Sequence, residues 1–394
     1  MRTPLARSIE IANALITARW THAKAPPPTA GPIETASEFE AHFAERNVLG
    51  LSLDEARLEA ERELAGCAPR HQGYSFGLST GTTGRPGVFI THERERNAWL
   101  GAVLGKFLPL KMLLGGADVA LILKHNNQLY TDVTKARGLR LHYFDATFPI
   151  GDWAERLCTL APQVLAGPPS LLERVSRTEA FARRPFRPGL LLTGAEPLFK
   201  QDRALLQGAY GILPRVIYQA KEGFLAAECR HGGIHLNEDL IHFDMIPLGR
   251  DRFVPVITDS TRTSQTYKRF RLDDVLIRSR DTCACGNKAT RIAAVEGRAQ
   301  DVMLFGAGER LFPMEVNEML LPLLDGRDYQ ITQVANSRML FAVEGVAPPL
   351  AAVKVLGEFA RVEPTAYSSP APGEKRRRIR RLFDLQNDWL RIAV

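Results

Sequence analysis

From Tyr74 to Tyr218 the chain repeats one pattern, a short apolar run followed by a stretch with helical spacing. Val119–Leu123, Val164–Ala166, Leu190–Leu192 and Val216–Tyr218 are too short for helices and nearly free of polar residues. Such runs read as strands covered on both faces, and their alternation with helices predicts a largely parallel α/β sheet. After Asp251 the spacing becomes β-rich, with Val254–Thr258 and Val275–Arg278 as strands; beyond Gly297 it changes again, with Gln330–Val334 and Met339–Val343 as strands. The expected architecture is therefore a large N-terminal α/β domain with a β-rich subdomain, residues 1–298, and a small, mobile α+β C-terminal domain, residues 299–394, hinged near Asp301. Residues 1–70 read as a helical lead-in to the first domain. Ile9–Trp20 and Leu53–Leu64 carry helical periodicity, and Ala25-Pro26-Pro27-Pro28 breaks the chain between them.

Charge narrows the range of partners. The net charge is +7, but Lys375-Arg376-Arg377-Arg378-Ile379-Arg380-Arg381 supplies six of the basic residues, and without it the balance is about +1. General polyanion binding by the main body, nucleic acid included, is not expected. The most apolar stretch, Leu100 to Leu123, is broken by Lys106, Lys111 and Asp118, so no membrane span is expected. Glu10 interrupts the region that would form a secretory signal, and a cytoplasmic location is the expectation. Five cysteines at irregular spacing, Cys67, Cys158, Cys229, Cys283 and Cys285, argue against a disulfide framework and leave thiols free for metal ligation.

Ser79-Thr80-Gly81-Thr82-Thr83-Gly84-Arg85-Pro86-Gly87 lies between an apolar segment and a helix starting near Glu93. Glycines let backbone N–H groups turn toward one anion and the hydroxyls add donors, so the loop suits a polyphosphate. It lacks the Gly-Lys-Ser/Thr ending of the common triphosphatase loop. The loop resembles the phosphate-binding motif of the adenylate-forming superfamily, which includes acyl-CoA synthetases, peptide-synthetase adenylation domains and luciferases. Four further segments resemble that superfamily's motifs in order: Thr193-Gly194-Ala195-Glu196-Pro197-Leu198, Tyr218-Gln219-Ala220-Lys221-Glu222-Gly223, Arg269-Phe270-Arg271-Leu272-Asp273-Asp274 and Glu296-Gly297-Arg298-Ala299-Gln300-Asp301. His235-Leu236-Asn237-Glu238-Asp239 and Cys283-Ala284-Cys285-Gly286 are similar to the phenylacetate-CoA ligase branch. Tyr218–Phe224 and Thr91–Arg96 resemble its subgroup related to the synthetase that adenylates a deazaflavin coenzyme, a subgroup to which indoleacetate-lysine ligase also belongs.

The resemblance implies ATP as co-substrate with magnesium, and roles for named residues. Ser79, Thr80, Gly81, Thr82, Thr83 and Gly84 would cradle phosphates, and Glu222 would hold magnesium. Ala195, Glu196, Pro197, Tyr218 and Gln219 would line the nucleotide pocket; Asp274 would take the ribose hydroxyls, and Arg298 would contact ribose or phosphate. Lys375, in Pro372-Gly373-Glu374-Lys375, resembles the lysine that neutralises charge at the reacting centre, with a solvated basic tail as the plain alternative. Lys221 stands where the family usually has threonine, and is assigned the α-phosphate.

The acid pocket is assigned to Asn127, Tyr130, Phe144 and Gly194, which would suit a flat aromatic or arylacetic acid with one polar group, such as indole-3-acetate. The subgroup resemblance implies transfer of the acyl group to an amine such as that of lysine, with the thiol of CoA as the alternative acceptor. Cys229, His231, Cys283 and Cys285 form a candidate structural zinc set, with His235 as rival fourth ligand and ordinary buried thiols as the alternative.

Overall fold

The computed structural model describes residues 4–20, 24–28, 30–79, 86–124, 132 and 138–383. Its centre is a twelve-stranded sheet among these residues. Five strands run parallel in the order Leu139–Asp145, Ala117–Leu123, Val164–Gly167, Leu190–Thr193 and Arg215–Ala220. All four apolar runs of the alternating region fall within these strands. The sheet then becomes antiparallel through Gly223–Glu228, Ile234–Leu236, Arg291–Arg298, Asp274–Arg278, Arg252–Asp259 and Ile241–Gly249, with Tyr267–Arg271 also paired to Arg252–Asp259. The β-rich subdomain is thus continuous with the parallel sheet.

Helices cover both faces because the parallel strands are apolar on both. Ile122, Phe144, Leu165 and Leu191 pack with Trp153, Leu157, Leu172 and Leu206 on one face. Leu139, Val164, Leu190 and Leu192 pack on the other against Leu100, Leu104 and Phe107 of the helix Glu93–Phe107. That helix starts at a capping box, in which the His92 ring accepts from the Arg94 N–H and Glu95 Oε2 accepts from the His92 N–H at 2.9 Å.

The lead-in belongs to the same body. Ile11 packs with Leu100 and Phe107. Phe39 stacks on Tyr267 with ring centroids 4.9 Å apart and meets Phe270 edge-on. Beyond residue 300 a separate four-stranded sheet has the order Arg361–Pro364, Arg338–Val343, Tyr329–Ala335 and Ile379–Arg381. It has its own core of Val316, Leu320, Ile331, Phe341, Leu356 and Ile379. Between the two sheets, Ala299, Val302, Leu304 and Phe312 pack on Val254, Val256 and Val275 of the β-rich region. No helix among the described residues is long and apolar enough to cross a membrane.

Candidate active site

Where a parallel sheet changes character, the carboxyl ends of its strands leave a crevice. Here the change falls between Arg215–Ala220, the last parallel strand, and Gly223–Glu228, joined to it by a hairpin with Lys221 and Glu222 at its tip. A cavity of about 990 Å³ opens at this point. Gly194, Ala195, Glu196, Pro197, Tyr218, Gln219, Lys221, Glu222, Asp274, Arg298, Lys375 and Ser79 all line it. These residues lie up to three hundred positions apart, and the fold brings them to one place.

The phosphate-loop candidate is pinned at both ends. The Ser79 N–H donates to the Gly87 carbonyl at 2.8 Å, and the Gly87 N–H donates to Ser79 Oγ at 2.9 Å, closing the strands Tyr74–Leu78 and Val88–His92. Thr80, Gly81, Thr82, Thr83 and Gly84 lie outside the described residues. Lys221 sits against this base, since a Cβ on Gly87 would lie 2.8 Å from Lys221 Nζ. A larger residue at position 87 would push the Lys221 side chain aside.

Opposite lies a group of acids. Asp274 and Arg298 face one another across neighbouring strands, with Arg298 Nε 4.0 Å from Asp274 Oδ1. The Tyr218 hydroxyl donates to Asp274 Oδ2 at 2.6 Å; burial and the Asp274 charge hold that phenol well above its usual pKa. Burial raises the Glu222 carboxyl pKa, and Lys221, 3.7 Å away, only partly opposes the shift. A buried, under-compensated carboxylate is the donor a divalent cation such as magnesium takes, so Glu222 fits the role assigned to it. Lys375 is half-buried in the wall, and burial lowers its pKa, against the raising effect of Glu196. Ala195 adopts φ 67, left-handed for a residue with a side chain, at the bend that carries Glu196.

Two assignments change. Phe144 is 1% exposed and packs with Trp153 beneath the Arg156 guanidinium, on the face of the sheet away from the cavity. The period-two alternation of its strand instead turns Leu139 and Leu141 to the cavity. Asn127 and Tyr130 lie outside the described residues. The apolar part of the cavity is formed by Trp99, Val103, Leu121, Leu141 and Ile217, with Gly194 at its edge. Alternation along Ala117–Leu123 and Leu139–Asp145 was the sequence signal that could have identified these leucines.

The second change concerns the cysteines. Cys229, Cys283 and Cys285 do converge, but His235, not His231, completes the set, with all four ligand atoms within 4.8 Å of one another. Cys229 and Cys283 sulfurs are 3.5 Å apart, and Cys285 Sγ is 3.3 Å from His235 Nε2. Ile234–Leu236 folds back antiparallel beside Cys229, bringing His235 into the cluster, whereas His231 is exposed on the turn and accepts from Arg230. Gly233 permits the approach, because a Cβ there would lie 2.6 Å from Cys283 Sγ. Burial alone would raise the Cys283 thiol, but hydrogen bonds from the Cys285 backbone, His235 and the neighbouring thiols bring it down to about 6. Three sulfurs and one imidazole at this spacing suit tetrahedral zinc with no open position, a structural site.

The basic run is not a solvated tail. Arg378 is buried, Arg376 is largely covered, and Arg377 pairs with Asp301 at the expected hinge. Asp273, Asp301, Arg376 and Arg377 also line the cavity and were not among the residues expected there.

No family model matches the chain. A phenylacetate-coenzyme A ligase of Thermus thermophilus is 25% identical over 285 residues, covering 65% of this chain and 61% of that protein, less than two thirds of its length. Among solved structures, a 2-hydroxyisobutyryl-CoA ligase in its postadenylation state, in complex with 2-HIB-AMP, matches with TM-score 0.63 at 20% identity, covering 96% of this chain and 90% of that one. An anthranilate CoA ligase in complex with anthranoyl-AMP matches with TM-score 0.52 at 13% identity over 78% of this chain and 67% of that one. The chain has the fold of these adenylate-forming enzymes.

Proposed function

We propose that this chain, which shares the fold of the adenylate-forming ligases, activates an apolar carboxylic acid with ATP and hands the acyl group to a nucleophile. The observation that carries the reading is the convergence of Lys375, Glu222, Asp274 and Arg298 on one cavity beside a pinned Gly/Thr loop. In the first step a carboxylate oxygen attacks the α-phosphorus, pyrophosphate leaves, and an acyl-adenylate forms. Two anions must approach, so positioning and charge neutralisation supply most of the rate. Lys375 and Lys221 bring cationic charge to the phosphates, Asp274 accepts from the ribose hydroxyls once Tyr218 yields, and Arg298 balances Asp274. Magnesium, held by Glu222, would neutralise the leaving pyrophosphate.

The apolar wall of Trp99, Val103, Leu121, Leu141 and Ile217 favours an aromatic or otherwise hydrophobic acid over a polar one. In the second step a thiol or amine attacks the acyl carbonyl and AMP leaves. The named relatives favour CoA as acceptor, and the subgroup resemblance at Thr91–Arg96 and Tyr218–Phe224 favours an amine such as lysine. Mass spectrometry of wild-type protein with magnesium-ATP, indole-3-acetate, phenylacetate or hydroxybenzoates, and CoA, lysine or no acceptor tests both. A thioester formed only with CoA selects the first, and an amide formed only with lysine selects the second.

A further inference from the structure

Lys375 is carried by residues 371–381, which end in the strand Ile379–Arg381 of the small sheet. What brings that segment to the cavity is a set of charges that lies mostly behind the wall. Arg378 donates to both carboxylate oxygens of Asp202 at 2.8 Å and to Asp328 Oδ1 at 2.5 Å. Arg376 reaches Glu173 at 2.6 Å and Asp202 at 3.0 Å. Its backbone N–H donates to Glu196 at 2.9 Å, and Ser170 Oγ donates to the same Glu196 oxygen.

Glu173 and Asp202 belong to the large domain, on the helices Pro169–Ser176 and Lys200–Tyr210; Asp328 belongs to the small unit. Each arginine therefore bridges the two bodies. The rings beside Arg378 are divided the same way, Phe199 at 5.1 Å and Tyr329 at 6.0 Å. Gln201 and Asn317 exchange hydrogen bonds across the same seam at 2.7 and 3.1 Å. Neither Asp202 nor Glu173 lines the cavity.

We infer that Asp202, supported by Glu173, is the positioning residue that docks the small unit and sets Lys375 at the reacting centre. Asp202 is 2% exposed and serves two guanidinium groups at once. Without its charge, both arginines, whose side chains are 9% and 6% exposed, are left under-paired, and that penalty falls on the docked arrangement. A shift of the segment by one residue would put Glu374 or Arg376 in the place that Lys375 holds.

The proposal rests on the role given to Lys375, so its test has a readout independent of turnover. In Asp202→Asn, hydrogen exchange of peptides covering 371–381 should rise, while exchange in the parallel strands stays at the wild-type level. With the first acid that wild-type protein adenylates, kcat for adenylate formation should fall about 10–100-fold and KM for ATP stay within about twofold. In a Lys375→Ala background, Asp202→Asn should cost nothing further, since both changes remove the same contribution. Glu173→Gln keeps Asp202 in place and should give the same changes at smaller amplitude, which covers the case of a poorly folding Asp202 variant. Unchanged exchange at 371–381, or additive losses with Lys375→Ala, would overturn the inference. If wild type adenylates no acid while exchange rises as described, the docking role stands and the functional reading fails.

Discussion

Carboxylates flank the basic run on two sides, and their surroundings are opposite. In the clasp, Asp202, Glu173 and Asp328 meet Arg376 and Arg378; burial would raise Asp328, but the two arginines outweigh it and hold its pKa below the usual range. In the cavity, the buried Glu222 has too little countercharge, and burial leaves its pKa raised. A saturated cluster fastens two bodies together, while a starved one has room for a cation or a ligand. The thiol cluster is a third case, where three sulfurs and one imidazole converge with their ligand atoms within 4.8 Å of one another.

The largest expected effect tests the cation that the clasp delivers. Lys375→Ala should lower adenylate formation by about 10²–10³-fold, with ATP affinity by calorimetry within about twofold of wild type. Next comes the clasp itself. Arg378→Ala leaves Asp202 and Asp328 short of a partner and should lose about 3–5 kcal/mol on urea denaturation. A loss under about 1 kcal/mol would class the contact with solvated surface pairs and erase the contrast.

At the thiol cluster, His235→Ala should release bound zinc while His231→Ala retains it, measured as metal content of purified protein. Equal retention in both would remove His235 from the ligand set, and wild-type protein without zinc would return the cysteines to ordinary thiols. The smallest effect is at Glu222. Its folded-state pKa lies above the ordinary 4.5, so the native state holds the extra proton, and the carboxylate form weakens the fold as pH rises. Glu222→Gln should therefore melt slightly higher than wild type near pH 8, and the gain should fade as pH drops toward 4.5. Added magnesium should raise the melting temperature of wild type more than that of the variant.

Local chemistry was legible in the sequence. The apolar runs Val119–Leu123 and Val164–Ala166 became strands nearly residue for residue, because burial on both faces leaves little else for them to do. The hairpin tip Lys221-Glu222 and the Asp274–Arg298 pair follow from short motifs at strand ends. Contacts made by folding across long separations were not legible. Arg378 and Asp202 are 176 positions apart, and nothing in a run of arginines says that it will be buried. His231 is nearer to Cys229 in sequence, but the turn leaves it exposed and the returning strand brings His235, six positions on, into the cluster. Phe144 shows a third gap: an aromatic residue in a strand faces whichever side its register dictates, and composition does not say which side holds the cavity.

The central claim is that Glu222, short of countercharge, and the delivered lysine form one adenylating site. The most direct test is release of pyrophosphate and AMP-linked acid from magnesium-ATP and a panel of aromatic and arylacetic acids, followed by mass spectrometry in wild type and Lys375→Ala. The account predicts an acyl-adenylate with at least one hydrophobic acid in wild type and almost none in the variant. ATP binding without adenylate or pyrophosphate from any acid, or equal product from both proteins, would contradict it.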